Sequence, residues 1–145
     1  MSVTTAMTTS FKQELLQGLH DLDGHTLKIA LIKSSESGTY GAASTNYSDI
    51  TGNSDEASGT GYSSGGATLG SVAITTSGTT AFVDFADVSF SNSTISASGA
   101  MIYNSSASNK AIAVISFGGT VASTAGTFTV TMPTADSSNA IIRLA

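Results

Sequence analysis

The sequence predicts a mainly β fold: an antiparallel β-sandwich or open barrel of about seven or eight short strands with one N-terminal α-helix. Two observations support this prediction. Apolar and polar residues alternate in short runs that end at Gly, Ser, Asn or Asp. The chain also contains ten Ile, seven Val, six Phe and four Tyr but one Pro, which is not the composition of a disordered chain.

One helix is predicted, over residues 11–19. Ser10 and Gln13 have the spacing of a capping box, in which the Ser side chain accepts from the Gln amide and the Gln side chain reaches back. Gly18 weakens the end of this helix, and residues 21–24 have the composition of a turn. The apolar residues at near-helical spacing are Phe11, Leu15, Leu16, Leu19 and Leu22.

A strand is predicted at 26–33, with both of its faces partly covered, because apolar residues occur on both phases of its alternation. The next segment, 34–66, is a long loop dominated by Ser, Gly, Thr and Asn. Structureless loops of this length are uncommon in compact domains. We therefore expect this loop either to lie on a partner surface or to contain a short helical turn near Tyr47 and Ile50.

The remaining strands follow from the same alternation. Residues 67–76 and 79–87 are expected to form a hairpin around a two-residue turn at Ser77 and Gly78. Gly118-Gly119, residues 124–126 and residues 133–138 are expected to separate the last three strands. The strands after the hairpin are predicted at 88–91, 95–104, 111–117, 127–132 and 140–144.

These elements predict one β-rich domain over 10–145, preceded by a flexible N-terminal arm at 1–9. The arm is either a frayed terminus or a segment that becomes ordered only against a neighbouring subunit. The predicted core holds the apolar phases of the helix and strands. Its members are Phe11, Leu15, Leu19, Ile29, Val83, Phe85, Ile102, Ile115, Phe128, Val130 and Ile142.

Composition excludes several classes of protein. Charged residues make up 10% of the chain and the net charge is −5, so a nucleic-acid binder, which needs a basic surface, is not expected. There is no Cys for a disulfide framework or thiol nucleophile. No apolar run reaches the roughly 18 residues of a membrane span. With 25 Ser and 21 Thr, the surface is weakly charged and suits close packing against another protein.

His20, Asp21, Asp23 and His25 form the densest cluster of potential metal ligands. Their place at a helix exit indicates a structural role instead, and the Asp-Leu-Asp-Gly run lacks the spaced acids and final Glu of a calcium loop. We predict no catalytic, cofactor-binding or metal-binding residues and therefore no enzyme.

Other candidate chemistry also has a simpler structural reading. Asp84 and Asp87 are three apart on a strand and point to opposite faces, while Asp49, Asp55 and Glu56 lie in the long loop. The glycines at 59–66 precede neither a Gly-Lys-Ser/Thr motif nor a helix, so we expect a closely packed turn around Tyr62. The row Thr127, Thr129 and Thr131 is expected to be an ordinary solvent face.

A resemblance is carried by the order and spacing of segments along the whole chain. These segments are FKQELL (11–16), LKIAL (27–31), GTGY (59–62), GGATL (65–69), VDF (83–85), GAMIYN (99–104), AIAV (111–114), FGG (117–119), GTFTV (126–130) and AIIR (140–143). In this order they resemble a group of small virion structural proteins of tailed bacteriophages, over about residues 10–144.

The resemblance implies a non-enzymatic component of the virus particle, made in the host cytoplasm. The preferred interpretation is a capsid decoration (cement) protein that binds the major capsid protein and stabilises the assembled head. The alternative is a tail, neck or fibre-associated subunit with a host-surface binding role. A homo-oligomer is expected, with a trimer as the natural state at threefold positions of a shell, and neither nucleic acid nor membrane is an expected partner.

Overall fold

The computed structural model describes residues 2–145, and ten strands and two helices are assigned within that range. Strands hold 47% of the chain and helices 9%. The two larger sheets are antiparallel and do not close into a barrel over the described residues, so the predicted mainly β class is confirmed. In chain order the elements are β1 (Ser2–Val3), β2 (Ala6–Met7), α1 (Thr9–Leu16), β3 (Leu27–Lys33), β4 (Thr39–Tyr40), α2 (Ser48–Gly52), β5 (Ala67–Thr68), β6 (Ala73–Ser77), β7 (Thr80–Asp84), β8 (Val88–Asn104), β9 (Lys110–Val130) and β10 (Arg143–Leu144).

A central five-stranded sheet has the order β2-β9-β8-β3-β5, and a three-stranded sheet has the order β10-β7-β6. Each face of the central sheet covers a separate hydrophobic cluster. On β3, Leu27, Ile29 and Leu31 belong to the larger cluster, while Ala30 and Ile32 belong to the smaller one. The prediction that this strand is covered on both faces is therefore confirmed.

The larger cluster contains nine of the predicted core residues. Leu15 is only partly buried against it, and Leu19 is 43% exposed, so the prediction for Leu19 is wrong. The nine buried residues are Phe11, Ile29, Val83, Phe85, Ile102, Ile115, Phe128, Val130 and Ile142.

The cause of the exposed Leu19 is an earlier end to the helix than predicted. Thr8, rather than Ser10, is the N-cap, and its hydroxyl accepts from the Phe11 N–H at 3.1 Å. At the other end Gly18 adopts φ 74°, and the N–H of Leu19 donates to the carbonyl of Glu14 at 3.0 Å. This is the Schellman arrangement, which favours Gly and ends the helix.

Strands β8 and β9 form one long hairpin where four separate strands were predicted. They are 17 and 21 residues long. The expected breaks at Gly118-Gly119 and near Ala125 are irregularities within β9, where the pairing passes from Gly99↔Ser116 to Ala97↔Val121 and Ala125 adopts φ 46°. A bulge accommodates extra residues in one strand without ending the ladder, which is why turn-forming residues do not divide these strands.

The smaller strands also differ from their predicted bounds. The predicted strand at 67–76 is split between β5, which pairs with β3, and β6, which pairs with β7. The β6–β7 hairpin turns at Gly78 and Thr79, one residue later than predicted, because Ser77 pairs with Thr80. The strand predicted at 140–144 is reduced to β10.

Residues 34–66, which we call the covering segment, lie on the second face of the central sheet. Its side chains Tyr40 and Ile50 are buried with Ile32, Met101 and Val114 of the sheet. The predicted helical turn near Tyr47 and Ile50 is present as α2. The apolar anchors of this segment are buried within its own domain, and a contact with a partner surface stays a prediction.

The N-terminal residues are joined to the same domain. Strand β1 pairs in parallel with β4 of the covering segment, and β2 pairs antiparallel with β9. The main-chain N–H of Thr8 donates to the carbonyl of Ile112 at 2.9 Å. In this structure the predicted arm therefore finds its strand partners in its own chain rather than in a neighbouring subunit.

Candidate functional site

The two histidines singled out in the sequence meet at the side-chain amide of Asn104. His20 Nδ1 lies 3.0 Å and His25 Nδ1 2.9 Å from Asn104 Nδ2. Asn104 Oδ1 accepts from the main-chain N–H of Ser106 at 3.0 Å, which sets the orientation of the amide. The amide nitrogen therefore donates to both rings, and both Nδ1 atoms accept.

Glu14 completes this network from helix α1. His20 Nε2 lies 3.0 Å from Glu14 Oε1, and Lys110 Nζ lies 3.3 Å from Glu14 Oε2. The His20 side chain is buried and makes an edge contact with Phe11 at a ring-centroid distance of 5.1 Å. The network thus joins the helix to the start of β9 and gives each polar atom of the buried ring a partner.

The acids beside the histidines shape the turn. Asp21 Oδ1 accepts from the main-chain N–H of Gly24 at 3.1 Å, and the Asp21 carbonyl accepts from the N–H of His25 at 2.7 Å. Asp23 is exposed. Among residues 2–145, no three His, Cys, Asp or Glu side chains converge in a way that could hold a metal ion. The absence of metal chemistry here stays a prediction.

Asp55 is a buried carboxylate whose role the sequence did not reveal. Its oxygens accept from the N–H of Ser37 at 2.9 and 3.0 Å, from the N–H of Gly38 at 2.8 Å and from the hydroxyl of Tyr40 at 2.6 Å. Lys33 Nζ lies 3.3 Å away. Burial raises the pKa of Asp55, but these hydrogen bonds outweigh it and hold the pKa well below its usual range.

Glu56 organises a second group, made of the buried Tyr103 and the half-buried Tyr47 and Tyr62. Its carboxylate accepts from the hydroxyls of Tyr47 at 2.6 Å and Tyr62 at 2.8 Å, and from the N–H of Gly65 at 2.7 Å. Tyr47 stacks on Tyr103 at a centroid distance of 4.6 Å. Burial and the neighbouring carboxylate raise the pKa of Tyr103 to about 12, so these phenols are neutral donors near neutral pH.

The glycine-rich turn at 59–66 packs closely against the domain. The Tyr62 hydroxyl accepts from the N–H of Leu31 at 3.0 Å. Gly66 adopts φ 78°, and a side chain there would overlap the carbonyl of Ile29. The turn therefore has the role that the sequence suggested, a close contact between main-chain segments around Tyr62.

Two of the remaining acids of interest accept hydrogen bonds from main-chain N–H groups. Asp49 Oδ2 accepts from the N–H of Thr45 at 2.7 Å, and Asp87 Oδ1 accepts from the N–H of Met132 at 2.7 Å. Asp84 is exposed on β7. Two of these three carboxylates thus serve as acceptors for irregular main chain, which sequence spacing alone does not reveal.

The outer part of the β8–β9 hairpin, which we call the ribbon, presents an uncharged hydroxyl surface. It consists of residues 88–97 and 121–130, and neither stretch contains a charged side chain. Phe90, Phe128 and Val130 point into the core. The exposed side chains of the ribbon include Ser89, Ser91, Thr94, Ser96, Thr127 and Thr129.

An apolar groove lies between helix α1 and the three-stranded sheet. Its volume is about 220 Å³, and Leu15, Ile74, Phe82 and Leu144 are among the residues that line it. Ile74 and Leu144 are each 49% exposed, and Leu16, next to the groove in sequence, is 91% exposed. Large apolar side chains that are exposed together mark surfaces that contact other molecules.

Comparison of this chain with protein-family models, with curated proteins and with solved structures found no match. Within the part of the chain that the structure describes, neither helix has the length and apolar character needed to cross a membrane.

Proposed function

We propose that this protein is a non-enzymatic structural component of a bacteriophage virion, and specifically a decoration protein that binds the outside of the assembled head. The observation that carries the proposal is the ribbon surface. It is rigidly backed by the core and exposes hydroxyl and small side chains with no charge. The segment resemblance described above supports the same class of protein.

The physical basis is the low cost of burying such a surface. A charged side chain removed from water without a partner is costly, whereas Ser and Thr hydroxyls can exchange water for main-chain acceptors of another protein. Across a repeated shell lattice, contacts that are individually weak act together through avidity. A protein that binds only the assembled shell then raises the stability of the shell by mass action.

The contact surface in this proposal is the ribbon instead of the two polar segments suggested by sequence. Residues 2–9 are already held by the pairing of β1 with β4 and of β2 with β9, and the covering segment buries its apolar side chains against the central sheet. The ribbon keeps one face free after folding, because that face lies opposite the buried Phe90 and Phe128.

The experiment compares heat and low-salt disruption of particles that carry this protein, particles that lack it, and particles reconstituted with Thr129→Lys. Thr129 is exposed on the free face of the ribbon, beside Ser89, so the substitution places an unpaired charge in the proposed contact. We expect the wild type to raise the disruption temperature and Thr129→Lys to bind poorly. Thr51→Lys, on an exposed position of α2, is the matched control and should behave as wild type.

Copy number separates the head from the tail. Hundreds of copies per particle, counted by quantitative mass spectrometry, support the head assignment. A few to dozens of copies at the tail, together with equal disruption temperatures in all samples, would contradict the decoration proposal and favour the tail-associated subunit.

A further inference from the structure

The edge strands of the molecule differ sharply in length. The outer strands of the central sheet, β2 and β5, are two residues long, as is β10 at one edge of the three-stranded sheet. Strand β6, at the other edge, has five residues and pairs with β7 without a register shift. Over the described residues, β6 is therefore the longest regular edge strand of the two larger sheets.

Strand β6 also lacks the features that normally prevent edge pairing. Edge strands are protected by charge, Pro, bulges or a covering element. The sequence Ala-Ile-Thr-Thr-Ser has neither charge nor Pro, and all five residues are exposed. By contrast, the free edges of the ribbon are interrupted by positive φ angles at Asn92 (49°) and Ala125 (46°).

The outward-facing main-chain N–H and C=O groups of β6 indicate what kind of partner can pair with this edge. In an antiparallel pair, alternate residues direct their N–H and C=O groups away from the partner strand. Part of the β6 main chain therefore points outward, and no other strand among residues 2–145 pairs with that edge. The complementary partner is another extended strand, added by β-augmentation.

We propose that this partner is β6 of a second copy of the chain, paired antiparallel across a two-fold axis at Thr75. In antiparallel pairing about a two-fold axis, the residue on the axis faces its own copy, so a charge at Thr75 would face a like charge. β6 carries none. The two three-stranded sheets then become one continuous sheet, and the contact is isologous.

The apolar groove supports this geometry. With Thr75 opposite Thr75 of the second copy, Ile74 faces Thr76 of that copy, and the two Ile74 side chains lie diagonally on one face. Ile74 lines the groove together with Leu144, and both are half exposed in the single chain. Pairing therefore forms new main-chain hydrogen bonds and also removes the neighbouring apolar surface from water.

The test uses charge at the two-fold axis, where Thr75 is exposed and no core contact is disturbed. Sedimentation velocity over a concentration series is run on wild type, Thr75→Lys, Thr75→Glu and an equal mixture of the two variants. We expect a dimer for wild type, at least a tenfold weaker association for each variant alone, and recovery of the dimer in the mixture. Thr129→Lys, on the ribbon, is the control and should associate as wild type does.

A wild type that stays monomeric at every concentration would overturn the proposal. So would a dimer or trimer that Thr75→Lys and Thr75→Glu leave unchanged, or a mixture of the two variants that fails to associate. The inference does not depend on the proposed function, because particle binding is tested at Thr129 and self-association at Thr75. Either can fail while the other stands.

Discussion

The covering segment and the ribbon satisfy their main-chain polar groups in opposite ways. The covering segment contains four carboxylates, Glu36, Asp49, Asp55 and Glu56, and no Lys or Arg. Asp55 and Glu56 accept main-chain N–H groups that have no place in a strand ladder. The ribbon contains no charged side chain, and the main-chain groups on its two facing edges pair between β8 and β9.

This difference between the two regions indicates where a chain with few charged residues uses its carboxylates. Buried main-chain donors need acceptors wherever the chain is irregular. Where strands pair, the ladder supplies them and the outer face is free to be uncharged. Where the covering segment is irregular, ionised side chains supply these acceptors. The two regions should therefore respond differently to loss of apolar volume and to loss of charge.

The largest expected effect is on the ribbon side. Phe128→Ala removes a buried ring that contacts Phe90 and Phe117 at centroid distances of 6.5 and 6.1 Å. We expect a loss of about 3–5 kcal/mol in the free energy of unfolding, since the neighbouring rings refill the cavity only in part. Urea denaturation measures it, and an unchanged midpoint would contradict the packing described for this side of the sheet.

Asp55→Asn tests the covering segment. The substitution keeps the shape of the side chain but removes the charge that accepts from Gly38 and Tyr40 and faces Lys33. We expect a loss of about 2–3 kcal/mol, the scale of hydrogen bonds to a charged group. Asp23→Asn, at an exposed turn position, is the matched control. Equal midpoints for the two variants would show that the carboxylate does not hold this segment.

The pH dependence of stability also tests the role of the Asp55 charge in the covering segment. The pKa of Asp55 is lower in the folded chain than its usual value, so its stabilisation is fully present above about pH 4 and is lost as the pH falls through the folded pKa. Unfolding measured from pH 6 to pH 2 should therefore show a shallower fall for Asp55→Asn than for wild type. Parallel curves would contradict a charged role for Asp55.

The last prediction concerns the glycine turn that joins the covering segment to β5. Gly66→Ala puts a side chain at φ 78° and against the Ile29 carbonyl, so we expect a loss greater than the roughly 1–2 kcal/mol that the positive φ costs by itself. Gly70→Ala is the matched control, because that position has open space and no positive φ. Thermal unfolding compares them. A Gly66→Ala variant as stable as Gly70→Ala would show that the turn does not need Gly.

Sequence pattern predicted most of the regular structure because alternation is a local property. Leu27, Ile29 and Leu31 identify one face of β3 without knowledge of the rest of the fold. The predicted end of α1 lies three residues too late, because the apolar spacing continues to Leu19 although Gly18 ends the helix. The roles of Asp55 and Glu56 are not predictable in this way, since their hydrogen-bond partners lie 6 to 18 residues away within an irregular segment.

The sequence by itself determined that this chain is a mainly β protein with a weakly charged surface, because alternation and composition do not depend on long-range contacts. Only the tertiary structure decided that Gly118-Gly119 lies within a strand, that the covering segment folds over its own sheet, and that β6 is left as a free edge. Each of these depends on which strand lies alongside, and pairing between residues distant in sequence is set by the register and packing of the whole domain.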